Sequence, residues 1–176
     1  LTRFKNFYFN LVNDLKRSLP IVASRAIVVC FNRIVTRSEP IDNASQRLVE
    51  LMLNGSYNGV TEHLLENSTL NYWASKMEEN FKKFNLNFSI SFNDLWIEQV
   101  NAWNLEVTAN VSISLSSKDL EAKLSKDLIV KANVSIEGFE DPLFLLYGWQ
   151  EGVGVNSVIR RSNISAYTSL LLVGTG

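Results

Sequence analysis

The sequence predicts an α+β domain in which an N-terminal helical layer packs on one face of an antiparallel β-meander of at least three strands. Two periodicities predict it. Apolar residues recur every three or four positions in the first half of the chain and every second position over residues 86–137. At 176 residues the chain is long enough to bury a core without disulfide bridges. We therefore expect one domain, residues 1–176, that is helical over 1–85, a sheet over 86–137 and irregular over 138–176.

The helical half is expected to begin with one long kinked helix. Over about residues 3–37 the apolar side chains gather on one helical face. Pro20 lacks a backbone N–H, so it should either kink this helix or start a second one that Ser18 caps. Residues 21–34 are so rich in apolar side chains that we expect them to be buried on more than one side.

Two or three shorter helices should follow, with recognisable end signals. The first is expected to start at a cap, Asp42 or Asn43, and to stop at Asn54-Gly55. A loop with Tyr57, Asn58 and Gly59 should then lead to a single helical turn near residues 61–66, and another helix is expected over about 69–84. The candidate caps of that last helix are Asn67 and Ser68.

The sheet is predicted by three runs of alternating side chains. In residues 86–92, 103–115 and 120–136 every second residue is apolar, interrupted only by Lys126, and in the first two runs the residues between them are mainly Asn, Ser and Thr. Clean alternation indicates one buried and one hydrated face, which is typical of an antiparallel sheet. A break in the pattern near Asn93-Asp94 leaves the direction of Trp96 open.

The pattern ends after Gly138. Asp141-Pro142 and several glycines predict loops there, with short strands at residues 153–159 and 167–173. The triplet Gly152-Val153-Gly154 resembles a fragment of a phosphate-binding loop. It lacks the remaining glycines, the lysine and the surrounding βαβ unit, so we assign it no function.

Residues that could carry catalysis are few and scattered. His63 is the one histidine, and its neighbours contain no nucleophile motif. Cys30 lies in an apolar run, where a free cysteine is usually a small core residue. No pair of histidines or cysteines and no calcium-loop spacing predicts a metal site. We therefore predict a protein that is not an enzyme and has no cofactor, since no spacing selects an acid–base pair from Asp94, Glu98, Glu106 and Asp141.

Charge argues against a nucleic-acid partner. The formal net charge is −1, and residues 1–50 carry eight Lys or Arg against four Asp or Glu, a net of +4. This excess is too diffuse for a nucleic-acid stripe and is typical of a solvated helix face. No segment reaches the roughly 18 to 20 apolar residues that span a bilayer. The chain starts without Met or a signal peptide, so we expect that a signal or anchor precedes it in a longer protein.

Asn-X-Ser/Thr triplets are the most informative motif. Chance would give about three in a chain of this composition, whereas seven are present. Two of them, at Asn43 and Asn67, are also explained as helix caps. Three others fall on the predicted hydrated sheet face. The excess predicts an extracytoplasmic protein with candidate glycosylation sites at Asn43, Asn54, Asn67, Asn87, Asn110, Asn133 and Asn163.

The order of features resembles archaeal type IV pilin-like and related small secreted cell-surface proteins. The resemblance rests on the aromatic-rich start Phe4-Lys5-Asn6-Phe7-Tyr8-Phe9 and on Gly138-Phe139-Glu140-Asp141-Pro142 after the meander. It implies a non-catalytic subunit or accessory protein of a surface assembly, anchored in the membrane. It further implies that the N-terminal helix contacts protein partners or other copies, through Phe4, Phe7, Tyr8 and Leu11.

The leading prediction is thus a structural or adhesion module at the cell surface. The alternative is an extracytoplasmic sensor that binds a small apolar ligand, because helices over a curved meander can leave a pocket between the layers. The same aromatic residues could instead simply fill the core. The expected lining of the pocket is Trp73, Met77, Phe88 and Trp103.

Overall fold

The computed structural model describes residues 2–37, 41–101, 103–117 and 122–139 of the chain. They form an α+β fold with helices first and a three-stranded antiparallel sheet second, as the sequence predicts. The helices are α1 (Thr2–Arg37), α2 (Ala44–Asn54) and α3 (Leu70–Lys82), with a 3₁₀ turn at His63–Leu65. The strands are β1 (Ser56–Tyr57), β2 (Val60–Thr61), β3 (Leu86–Asn101), β4 (Asn104–Ser117) and β5 (Ala122–Ser135). The predicted loops and short strands beyond residue 139 lie outside the described residues.

Helix α1 is a single helix that contains Pro20. Ser18 therefore does not cap a second helix, and that alternative is wrong. The expectation that residues 21–34 are buried on more than one side is also wrong, because Ile21 is 55% exposed and Val28 is 48% exposed. The buried residues of α1 recur along one side of the helix: Leu11, Leu15, Leu19, Val22, Ala23, Ala26, Ile27, Val29, Cys30 and Ile34.

By length and composition, α1 is also long and apolar enough to cross a membrane. The expectation that no segment reaches that limit is wrong by this measure. Less than half of the apolar stretch is buried in the fold. Core helices of soluble proteins and signal sequences also satisfy the same criterion, so the observation by itself does not place α1 in a bilayer.

The ends of α2 follow the sequence signals. The Asn43 side chain accepts a hydrogen bond from the Gln46 backbone N–H at 3.4 Å, which makes it the N-cap. Gly55 ends the helix with φ +69°, and its N–H donates to the Leu51 carbonyl. A side chain at Gly55 would clash, since a Cβ there would lie 2.9 Å from Thr69 Cγ2.

Two local features differ from the sequence-based expectations. Strands β1 and β2 form a two-residue hairpin across Asn58-Gly59, where we expected only a loop. Both turn residues have positive φ, which Asn-Gly adopts readily and which matches the twist of a tight hairpin. Helix α3 is capped by Thr69, whose hydroxyl accepts from the Tyr72 N–H at 3.1 Å, and not by Asn67 or Ser68.

The sheet is a meander in the order β3-β4-β5. A register shift between Phe92 and Asp94 explains the break in the sequence pattern. It adds one residue to β3, so Leu95 and Ile97 stay on the same face as Phe92. Trp96 therefore points to the other face, in register with Thr108.

One apolar cluster joins the helices to the sheet. Helix α1 contacts β5 and β4, while α2 and α3 contact β3. Alternate residues of β4 are buried in this cluster, and most of them pair in register with apolar residues of both neighbouring strands. The exceptions are Leu105, which pairs with Gln99 of β3, and Ile113, which pairs with Lys126 of β5. The alternation that predicted the sheet is therefore the alternation of the core.

Candidate functional site

The polar face of the sheet carries three of the seven Asn-X-Ser triplets. Asn87 pairs with Ser116 at one end of the ladder, and Asn133 pairs with Glu106 towards the other. Asn110 lies on the central strand and is half-buried. All three therefore lie on the face where the sequence places them. Whether any carries a glycan stays a prediction.

This face is less uniformly Asn, Ser and Thr than the sequence pattern indicates. Trp96 lies half-buried over the central strand beside Thr108, and Ile129 is exposed next to Asn110. Glu98 and Glu106 are directly opposite each other, and the Lys131 ammonium group forms an ion pair with Glu106. The bulge at residue 93 is what turns Trp96 outward, and periodicity alone does not locate such a bulge.

The other candidate glycosylation sites lie in helix ends and turns. Asn43 uses its amide group to donate to Gln46 Oε1 at 2.8 Å while it caps α2. Asn54 is the last residue of α2 and accepts a hydrogen bond from the Asn71 amide at 2.8 Å. Asn67 is exposed in the turn before α3, with φ +60°. Asn163 lies outside the described residues.

The N-terminal aromatic segment packs largely against its own domain. The Phe7 ring lies 5.8 Å from that of Phe81 and 6.0 Å from that of Phe84, and the Lys126 ammonium lies 5.4 Å from the Tyr8 ring centre. Leu11 is 2% exposed. Leu11 therefore belongs to the core and cannot contact a partner, which corrects that part of the prediction.

Another aromatic residue, which the prediction left out, is available on α1. Phe9 is 61% exposed, on a different side of the helix from Leu11. The predicted partner contact is based on the apolar stripe that contains Phe7 and Leu11. In the structure these two residues pack inside the domain, because the most regular apolar face of a helix is normally its core face. The side chain of Phe4 is outside the described part, and a partner contact at Phe4, Phe7 or Tyr8 stays a prediction.

The expected pocket between the layers is not formed by the four residues that were predicted to line it. Phe88 is buried opposite Leu115, whereas Trp103 lies in the turn before β4, at the other end of the ladder. Trp103 is twelve positions before Leu115 along the chain, which is roughly 40 Å at about 3.3 Å per residue of strand. Trp73 and Met77 on α3 are half-buried and pack against the core. The sensor function itself stays a prediction.

A different groove, between α1 and the start of α3, has an apolar lining. It has a volume of about 220 Å³ and is open to solvent. Ile21 and Val22 of α1 line it on one side, and Tyr72 and Trp73 of α3 line it on the other. Arg25 also lines the groove and donates a hydrogen bond to the Ser68 hydroxyl.

The carboxylate of Glu50 is the centre of a polar site in which four groups donate to it. It accepts hydrogen bonds from the backbone N–H groups of Gly59 (2.8 Å) and Asn58 (3.1 Å), and from the Ser56 hydroxyl (2.9 Å). Arg47 adds an ion pair at 3.0 Å. Burial would raise the pKa of Glu50, but the hydrogen bonds from Gly59, Ser56, Asn58 and Arg47 outweigh it and the pKa is lowered.

Charged side chains extend this site to α1. Arg47 also makes a two-bond contact with Asp42, at 3.2 and 3.0 Å, which lowers the pKa of Asp42. The Arg33 guanidinium lies 3.9 Å from the Tyr57 ring centre and is ion-paired with Glu62. The network joins α1, α2 and the β1–β2 hairpin, and its groups are all used for structural contacts.

The sequence analysis missed this network. Its one local signal is Asn58-Gly59, a pair that favours a tight hairpin turn. In the structure the backbone N–H groups of both residues point towards α2. The acceptor of those N–H groups, Glu50, lies in α2, and nothing in the sequence pairs the two. Long-range partners of this kind have no periodicity to reveal them.

Of the candidate catalytic residues in the described part of the chain, the fold brings together Glu98 and Glu106, which are opposite each other on the sheet, and Glu106 is ion-paired with Lys131. Burial raises the pKa of the Cys30 thiol, nearby Arg33 lowers it and Glu62 raises it, and the net result is a pKa of about 12, so the thiol stays protonated. His63 is exposed at the start of the 3₁₀ turn. Within the described part of the chain, no group of three or more His, Cys, Asp or Glu is placed to hold a metal ion. Of the four candidate carboxylates, Asp141 lies outside that part.

Comparison of the chain with known protein families, with curated proteins and with solved structures finds no significant match. A function for the chain has to be derived from its own residues.

Proposed function

We propose that the protein is a non-enzymatic structural or adhesion module of the cell surface, in the manner of a pilin-like subunit or an accessory protein of a surface assembly. One observation supports it above the others. A single N-terminal helix of 36 residues is combined with a meander whose polar face carries three Asn-X-Ser triplets. Such a face suits a protein whose sheet meets water outside the cytoplasm.

We further propose that the helices form one layer on the apolar face and leave the polar face free. The contacts of α1 with β5 and β4, and of α2 and α3 with β3, support this arrangement. It divides the domain into a hydrated side and a helical side. Partners would then meet the helical side, where apolar side chains are exposed.

The start of α1 is the proposed contact with protein partners or with other copies. Phe9 is exposed there, and Phe7 and Tyr8 are half-buried. An exposed aromatic residue has a large apolar surface that a partner can cover, and aromatic residues are enriched where interfaces bind most tightly. Phe9 is thus the residue of this segment with the most surface to offer.

A membrane anchor for the whole protein is part of the proposal. The length and apolar character of α1 support it weakly, since core helices meet the same criterion. In this fold ten residues of α1 belong to the core. We therefore place the anchor outside the described helix and assign α1 to the domain.

Immunogold labelling of intact cells, and of filaments sheared from them, tests this function. We expect label on unpermeabilised cells, and a cytoplasmic protein serves as the negative control. Label that appears only after permeabilisation would contradict the proposal. In cells, Phe9→Ser should reduce recovery of the protein with its assembly, while Val28→Ser, at another exposed apolar position of the same helix, should leave it unchanged.

A further inference from the structure

The Asn-X-Ser/Thr triplets that the structure describes differ in secondary structure and in the hydrogen bonds that their asparagines make. Asn87, Asn110 and Asn133 lie within strands, where the ladder holds their backbone groups. Asn43 caps α2, and its side-chain amide donates a hydrogen bond to Gln46 Oε1. A glycosyl acceptor is normally a surface loop, because the transferring enzyme must enclose the triplet and reach the amide nitrogen.

Asn67 meets these requirements best among the triplets that the structure describes. It lies in an exposed turn between the 3₁₀ turn and α3, with left-handed backbone at φ +60°. No hydrogen bond to its side-chain amide is found in the described part of the chain. Its triplet ends in Thr69, so the hydroxyl that the motif requires is present.

Asn67 also lies on the rim of the groove between α1 and α3. The volume of about 220 Å³ is below the range of about 300–1,000 Å³ that holds drug-sized ligands, and it suits one sugar ring. The lining offers the two kinds of contact that bind a sugar, which are aromatic surface and hydrogen-bond donors. Tyr72 and Trp73 offer aromatic surface to its C–H face, and Arg25 keeps N–H donors beyond the one that it gives to Ser68.

We propose that Asn67 is the glycosylated residue of this protein and that the first sugar of its glycan lies in the groove against Ile21 and Trp73. The inference rests on the proposed extracytoplasmic location. It accounts for Ile21, one of the exposed apolar side chains of α1, which is 55% exposed. The sugar covers that side chain and joins the turn before α3 to α1.

Glycopeptide mapping of the protein purified from its own cells tests the site. We expect a glycan on the peptide that contains Asn67. A bare Asn67 overturns the inference, whether the glycan is then found at another triplet or nowhere. Localisation is read on the same cells, so a surface protein with a bare Asn67 refutes this inference and leaves the proposed function standing.

Thermal unfolding tests the contact with the groove. In protein from the same cells, Asn67→Gln should lower the Tm by about 2–4 °C, and Asn87→Gln, its control in β3, should leave it unchanged. In an Ile21→Ser background, Asn67→Gln should produce a clearly smaller shift, because the sugar has lost part of its contact surface. Ile21 is exposed, so that background should fold. Equal shifts in the two backgrounds would place the sugar outside the groove.

Discussion

Two regions of this molecule are stabilised in different ways. In the sheet and α1, the buried residues of the described chain are apolar apart from Thr108 and Ser117, and alternate positions of β4 from Leu105 to Leu115 are fully covered. In residues 41–66, which contain α2, the hairpin and the 3₁₀ turn, the apolar face of α2 also belongs to the core, and charged side chains add a second set of connecting contacts. Arg47 and Glu50 are at the centre of these contacts.

The difference determines how each region should respond to change. Apolar burial is non-directional and depends on area, so the sheet region should be sensitive to lost volume and insensitive to pH. A half-buried carboxylate with several donors, such as Glu50, contributes through its charge, so residues 41–66 should respond to acid. The predictions below separate the two regions.

The largest effect is expected in the sheet. Ile113 lies on the central strand, opposite Ile90 on one side, with its side chain fully buried. Ile113→Ala should lower the free energy of unfolding by about 2–5 kcal/mol, because it removes apolar contacts and leaves a cavity. Chemical denaturation at pH 7 and at pH 5 measures this, and the loss should be the same at both.

The neighbouring residue is the matched control. Ser114 is the next residue of β4 and points to the polar face, so Ser114→Ala should change stability by no more than about 0.5 kcal/mol. Similar losses for the two variants would mean that the polar face is covered as well. The contrast between the faces would then be lost.

A smaller effect is expected at the centre of the charged region. Glu50→Gln keeps the shape of the side chain, but its amide group places N–H donors where Arg47 and the turn N–H groups of Asn58 and Gly59 need an acceptor. We expect a loss of about 1–3 kcal/mol in the free energy of unfolding. Glu79→Gln, an exposed glutamate of α3, is the control. If the two variants lose equal stability, the four contacts to Glu50 contribute nothing.

Acid should uncouple the two regions. The pKa values of Glu50 and Asp42 are lowered in the fold, so their contribution is present above the unfolded values of about 4 and is lost as the pH falls through the folded values. Hydrogen exchange should show the amides of Asn58 and Gly59 losing protection below about pH 4, before those of β4. Loss of protection in both segments at the same pH would refute the separation.

The same division explains what the sequence predicts. The α+β class, the meander and the ends of α2 follow from periodicity and from local caps, since each signal lies within a few residues of the element that it marks. The outward direction of Trp96 depends on a bulge, and the position of a bulge is set by pairing with β4. The partners of Glu50 and the neighbours of Asn67 are brought together by the fold, so no local pattern reveals them.

The smallest expected effect is an increase in the free energy of unfolding, and it tests how far water reaches into the polar face of the sheet. Thr108 lies on the polar face of β4, between Trp96 and Lys131, yet it is 0% exposed. In the described part of the chain its hydroxyl has no hydrogen-bond partner. Thr108→Val should raise the free energy of unfolding by about 1 kcal/mol, because it replaces an unsatisfied hydroxyl with a methyl group of similar size in a β-branched side chain.

Ser112 is the matched control, because its hydroxyl on the same face accepts a hydrogen bond from the Asn93 amide at 2.7 Å. Ser112→Ala should lower the free energy of unfolding by about 0.5–1.5 kcal/mol. Urea denaturation of both variants measures the two signs. A loss of stability in Thr108→Val would mean that water or a partner reaches the Thr108 hydroxyl. The polar face would then be hydrated up to its centre, beneath Trp96.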